Sequence, residues 1–120
     1  MKRVLIVEDV PDNRQIMRDL LTNAGYELIE AIDGAAGVAA ALAHRPDLIL
    51  MDIQLPVLDG YEATRRIKAN PETSAIPIIA VTSYALSGDE AKALEAGCDG
   101  YVAKPFSPRQ LLEKVREIIT

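Results

Sequence analysis

The chain has 120 residues, 49% of them hydrophobic, and a formal net charge of -5. That length supports one domain with no room for a second and buries roughly two-thirds of its unfolded surface, enough for a real core. The acidic balance argues against direct nucleic-acid binding, the single cysteine, Cys98, excludes an internal disulfide and a cysteine zinc site, and no apolar run approaches the ~18 residues of a membrane span.

The first apolar run, Val4-Leu5-Ile6-Val7, stops at Glu8-Asp9, too short for a signal peptide despite the basic Met1-Lys2-Arg3. A cytoplasmic protein without membrane association is expected. Pro11 opens a helical pattern, as proline does in a first turn. Ile16, Leu20 and Ala24 share one helical face, with Met17 and Leu21 beside them, and Gly25 follows as a C-cap. Tyr26 to Ile32 is β-rich. Asp33-Gly34 predicts a turn, and the alanine-rich Ala35 to His44 a helix stopped by Arg45-Pro46. Leu48-Ile49-Leu50-Met51-Asp52 predicts a strand buried on both faces, since an uninterrupted apolar run suits no half-exposed position.

Leu55-Pro56 and Asp59-Gly60 predict a loop, and Tyr61 to Asn70 a helix ending at Asn70-Pro71. Ile76 to Val81 predicts a fourth strand, tolerating Pro77 near its start and reaching Thr82 and Ser83. Ser87-Gly88-Asp89-Glu90 has capping-box spacing for a helix to Ala96, with Gly97 as its cap. Gly100 to Ala103 predicts a fifth strand, ending at Lys104-Pro105. Ser107-Pro108-Arg109-Gln110 is a second capping box, for a last helix to about Ile119. Strand then helix, five times over, predicts an α/β fold with a parallel sheet covered on both faces. No effector domain is expected.

In such a sheet the carboxyl ends of the strands share one edge. There the sequence sets Glu8 and Asp9, Asp52, Thr82 and Ser83, and Lys104. Converging carboxylates repel and stay ionised best with a cation beside them. Hard oxygen ligands suit Mg²⁺, which also engages phosphate. The lysine can hold a phosphoryl oxygen as a point charge, the hydroxyl can hydrogen-bond another, and an Asp beside a metal can be a nucleophile forming an acyl phosphate.

Glu8-Asp9, Asp52, Pro56, Gly60, Thr82, Lys104 and Pro105, in that order and spacing, resemble the receiver domain of two-component response regulators over essentially the whole chain. Ile78 to Thr82, Gly88-Asp89-Glu90 and Lys104-Pro105 look closest to its DivK-like single-domain members, though receivers of hybrid kinases are similar. The resemblance implies a (βα)5 doubly wound, flavodoxin-like three-layer sandwich with strand order 2-1-3-4-5. It implies Asp52 as phosphoacceptor, with Asp9, Asp52 and the backbone carbonyl of Gln54 as Mg²⁺ ligands and Glu8 acting through a metal-bound water. Lys104 would contact acceptor and phosphoryl group, before a cis bond to Pro105. Thr82 would report the phosphoryl group, and Tyr101 would be an aromatic switch, although a tyrosine there fits a core position equally well.

The implied function is a switch, not an enzyme. A histidine kinase or histidine phosphotransfer protein donates to Asp52, and a downstream protein reads the result. Tyr84, Ala85 and Leu86 with Tyr101, Ala103 and Phe106 form the candidate output patch. A Mg²⁺-dependent phosphohydrolase with an Asp nucleophile is the alternative, but the position two residues after Asp52 carries Gln54 where such enzymes usually need a carboxylate. A flavin module of similar topology is opposed by the acidic loop after the first strand. Cys98 reads as a small packed residue, His44 as a helix-end residue favouring the dipole, and Arg65 and Arg66 as a solvated face.

Overall fold

The computed structural model describes residues 2–82 and 89–119, with the backbone alone for 89 and 90. Ser83, the candidate output residues Tyr84, Ala85 and Leu86, and the predicted cap at Ser87 lie outside the described residues. Five parallel strands alternate with five helices: β1 (Arg3–Val7), α1 (Pro11–Asn23), β2 (Glu27–Ala31), α2 (Gly34–His44), β3 (Leu48–Asp52), α3 (Gly60–Ala69), β4 (Ile78–Thr82), α4 (Asp89–Ala96), β5 (Gly100–Ala103) and α5 (Pro108–Ile119). The sheet order is β2-β1-β3-β4-β5, as the resemblance implies. All four pairings are parallel, with Leu50 of β3 set between Ile6 of β1 and Ile79 of β4.

The uninterrupted apolar run of β3 is explained by its central place. Every residue from Leu48 to Asp52 is buried. Alternate strand residues feed two separate cores, because successive side chains point to opposite faces. Leu5, Val7, Ile49 and Met51 pack towards α2, α3 and α4. Val4, Ile6, Leu48 and Leu50 pack against Met17 and Leu21 of α1 and Leu111 and Val115 of α5. Each large side chain so buried contributes about 1.5–3 kcal/mol.

Several element starts differ from the sequence expectation. The buried stripe of α1 is Met17 and Leu21, while Ile16 is 55% exposed. Two apolar stripes lie about 100° apart on this helix, and periodicity cannot rank them. Asp33 is the N-cap of α2, accepting from the Ala36 N–H at 2.7 Å, so the helix opens at Gly34. Asp59 caps α3 in the same way through the Glu62 N–H at 2.9 Å. Both satisfy amide donors that a helix start leaves unpaired. β4 starts at Ile78, leaving Ile76 and Pro77 outside it. The capping box of α5 is present: the Gln110 N–H donates to Ser107 Oγ at 3.1 Å, and the Ser107 N–H donates to Gln110 Oε1 at 2.9 Å. Among the described residues, no helix is long and apolar enough to cross a membrane.

Candidate functional site

The strand order reverses between β1 and β3, and the crevice beyond their carboxyl ends is where open α/β sheets bind ligands. Glu8 and Asp9 follow β1 there, and Asp52 ends β3. One carboxylate oxygen from each of the three lies within 4.8 Å of the others. Glu8 is fully buried, Asp52 is 3% exposed and Asp9 is half-buried. Lys104, just beyond β5, reaches across the sheet edge. Its Nζ lies 2.7 Å from Glu8 Oε1 and 3.5 Å from Asp52 Oδ2. The Lys104 backbone is held by its N–H donating to the Thr82 carbonyl at 2.7 Å, and the peptide bond to Pro105 is cis.

The loop after β3 aims the central carboxylate. The Gln54 N–H donates to Asp52 Oδ1 at 3.3 Å. The Gly60 N–H returns to the Ile53 carbonyl at 3.0 Å, closing the loop on the strand. A Cβ on Gly60 would lie 2.2 Å from the Asp52 carbonyl oxygen, so only glycine permits this approach. Between them the Leu58 N–H donates to the Pro56 carbonyl at 2.7 Å, and Val57 at the turn's centre has φ of +69°. That is a three-residue γ-turn of the rarer hand, strained for a β-branched residue. Val57 is 81% exposed beside the site.

The two buried carboxyls differ. Burial pushes the Asp52 carboxyl up to about 7, reinforced by Glu8 and opposed by Lys104 and the Gln54 N–H. Burial also pushes Glu8 up, but hydrogen bonds from Lys104, Asp52 and the Val10 N–H outweigh it and leave Glu8 below its ordinary 4.5. The first proton the site takes up therefore goes to Asp52. Both Glu8 oxygens are engaged, Oε1 by Lys104 and Oε2 by the Val10 N–H at 3.2 Å.

Thr82 is fully buried at the end of β4, where Gln54 Nε2 donates to its Oγ1 at 2.9 Å. Tyr101 pairs with Ala80 in the sheet, and Ala103 pairs with Thr82. The side chains of Ala80, Thr82 and Tyr101 therefore share one sheet face, and Tyr101 is half-buried against the core on that side. Sequence reasoning missed the hydrogen bond from the Gln54 side chain to Thr82, having read Gln54 only as a carbonyl ligand and as the absence of a second carboxylate. It also missed Arg14, whose guanidinium donates to the Glu8 and Asp9 carbonyls. Neither contact leaves a periodicity or a motif. Away from the site, Cys98 is buried beside Thr64, and burial raises its thiol. His44 lies in the last turn of α2, and exposed Arg65 and Arg66 pair with Glu62.

The family model for the response regulator receiver domain matches residues 4–116. The chain belongs to that family. Among curated relatives, this receiver is 43% identical over 118 residues to the polar-differentiation response regulator DivK of Brucella anthropi, covering 98% of this chain and 96% of that protein. Among solved structures, it matches the receiver domain of a sensor histidine kinase from Pseudomonas aeruginosa with TM-score 0.93 and 42% identity, covering 98% of this chain and 97% of that one. That structure holds a magnesium ion coordinated in its active-site cleft. The chemotaxis protein CheY4 of Vibrio cholerae gives TM-score 0.92 and 30% identity over 98% of each chain.

The donor set of this receiver fits a hard divalent cation. Three carboxylates converge while Lys104 supplies a single positive charge, and one carboxyl is left with a raised proton affinity.

Proposed function

We propose that this receiver is a phosphorylation-dependent signalling switch in which Asp52 accepts a phosphoryl group from a phosphohistidine. The observation that carries it is the convergence of Glu8, Asp9, Asp52 and Lys104 at the reversal point of the sheet. Asp9, Asp52 and the Gln54 carbonyl would hold Mg²⁺, with Glu8 acting through water because both its oxygens already have partners. Bound there, the cation offsets charge on the transferring phosphoryl oxygens. An Asp52 oxygen forms a bond to phosphorus as the P–N bond to the donor imidazole breaks. The imidazole, protonated on its other ring nitrogen, leaves with that electron pair as neutral imidazole, and Asp52 becomes an acyl phosphate. Lys104 holds a phosphoryl oxygen, and Thr82 hydrogen-bonds another.

The donor is a histidine kinase or histidine phosphotransfer protein. Exposed Val10, Ile16 and Val57 beside the site suit a protein surface better than a small metabolite. Net charge speaks against nucleic acid as the direct partner. The phosphodonor class suits a cytoplasmic site of action. The phosphohydrolase alternative is not favoured: Gln54 carries an amide that cannot transfer a proton, and its Nε2 donates to Thr82 Oγ1. Incubation with a small phosphodonor and Mg²⁺ should label the protein at Asp52 alone, read by mass spectrometry. Undiminished labelling of Asp52→Ala, or labelling indifferent to a chelator, would sink the proposal.

Output leaves through a downstream protein, with Tyr101 coupled to Thr82 along their shared face. Tyr101→Ala should leave Asp52 labelling within about twofold of the parent while reducing phosphorylation-dependent partner binding by about tenfold, the cost of losing one aromatic anchor. Binding that keeps its full dependence on phosphorylation would remove Tyr101 from the switch.

A further inference from the structure

We infer that Arg14 is a positioning residue for the Mg²⁺-binding loop, a role that rests on the proposed metal site. Arg14 lies in the first turns of α1 and turns back over the β1–α1 loop. Its Nη1 donates to the Glu8 carbonyl at 3.1 Å and to the Asp9 carbonyl at 3.3 Å. Two successive peptide groups, those that carry two of the three acidic side chains, are thereby fixed by one nitrogen. Its Nε faces Glu30 Oε1 of β2 at 3.5 Å. Glu30 is itself gripped by Arg18, through Nε at 2.8 Å and Nη2 at 2.7 Å. The order of support runs from Arg18 to Glu30 to Arg14 to the loop. The Arg14 side chain is 17% exposed, so water competes little for those carbonyls.

Charge and geometry make opposite forecasts here. A guanidinium near a cation site repels the incoming ion, so charge alone forecasts tighter binding when Arg14 is removed. Geometry forecasts weaker binding, because a loop freed from two hydrogen bonds must be ordered again each time the ion binds. Partners of this outer kind typically contribute tenfold or more to metal affinity. A lysine keeps the charge but lacks the planar fork that meets the carbonyls and Glu30 together.

The test is calorimetric titration with MgCl2 alone, without phosphodonor. Asp9→Asn serves as the control for the site itself. Arg14→Met should bind about tenfold more weakly than the parent, and Arg14→Lys should recover only part of the loss. Glu30→Gln should cost about threefold in the parent and nothing further in Arg14→Met. Equal or tighter binding by a folded Arg14→Met overturns the inference and leaves the Mg²⁺ site standing. Should Arg14→Met fail to fold, Glu30→Gln decides, since unchanged affinity there overturns it equally. A parent that binds no Mg²⁺, or binds it as well with Asp9→Asn, overturns the metal site and the inference together.

Discussion

Asp52→Asn should make the metal-free protein more stable at pH 8, by up to ~4 kcal/mol. The carboxyl's affinity for its proton rises from an ordinary 3.8 to about 7 on folding. Its ionised form is thus carried at a cost in the native state, and the protonated form is not. The stability this group contributes is whole below about pH 4, declines as pH rises, and is gone above about 7. Glu8 shifts the other way, but its contribution changes only as pH falls below its ordinary 4.5. In thermal denaturation the variant should exceed the parent by on the order of 10 °C at pH 8. The gap should shrink towards pH 4 and narrow at pH 8 when saturating Mg²⁺ is added, because the ion stabilises the parent selectively. A gap independent of pH would show that strain at Asp52 is not electrostatic.

Mg²⁺ affinity should climb with pH and then level off. A carboxyl must lose its proton to become a ligand, and Asp52 is half-protonated near 7. Below that point affinity should fall about tenfold per pH unit, and above about pH 8 it should be flat. Titrations in buffers of different ionisation enthalpy should register about one proton released at pH 6 and almost none at pH 8. Equal affinities at pH 6 and pH 8 would contradict the proton's assignment to a metal ligand.

The strand ends were legible because each polar residue interrupts an apolar run. Asp52 could be assigned to the sheet's ligand edge because Leu48 to Met51 read as a buried strand and an acidic pair, a hydroxyl and a lysine close other strands. Helix faces were harder. In α1 the stripe through Ile16 and the one through Met17 are equally apolar, and only the sheet beneath selects Met17. Asp33 and Asp59 have one chemistry that serves a turn or a helix cap, and the backbone that follows decides between them. The Gln54–Thr82 and Arg14 contacts were invisible for a different reason. A side chain bonded to a backbone carbonyl, or to a hydroxyl on another strand, obeys no local spacing. Such contacts exist only once the topology has brought the elements together.

The bond between Lys104 and Glu8 joins residues 96 positions apart. It ties the loop after the first strand to the loop after the last, although β1 and β5 are not neighbours in the sheet. A ribosome releasing this chain exposes every carboxylate of the site before the lysine that contacts two of them. Contacts of such sequence separation form late, because the intervening chain must be closed first. A nascent chain ending before Lys104 therefore carries two buried carboxyls, Glu8 and Asp52, with no lysine to offset the cost of burying their charge, and its sheet edge should stay open to water. Competence to receive a signal is in this sense a property of the finished polypeptide, and partial synthesis or C-terminal cleavage should yield chains that are silent and not miswired.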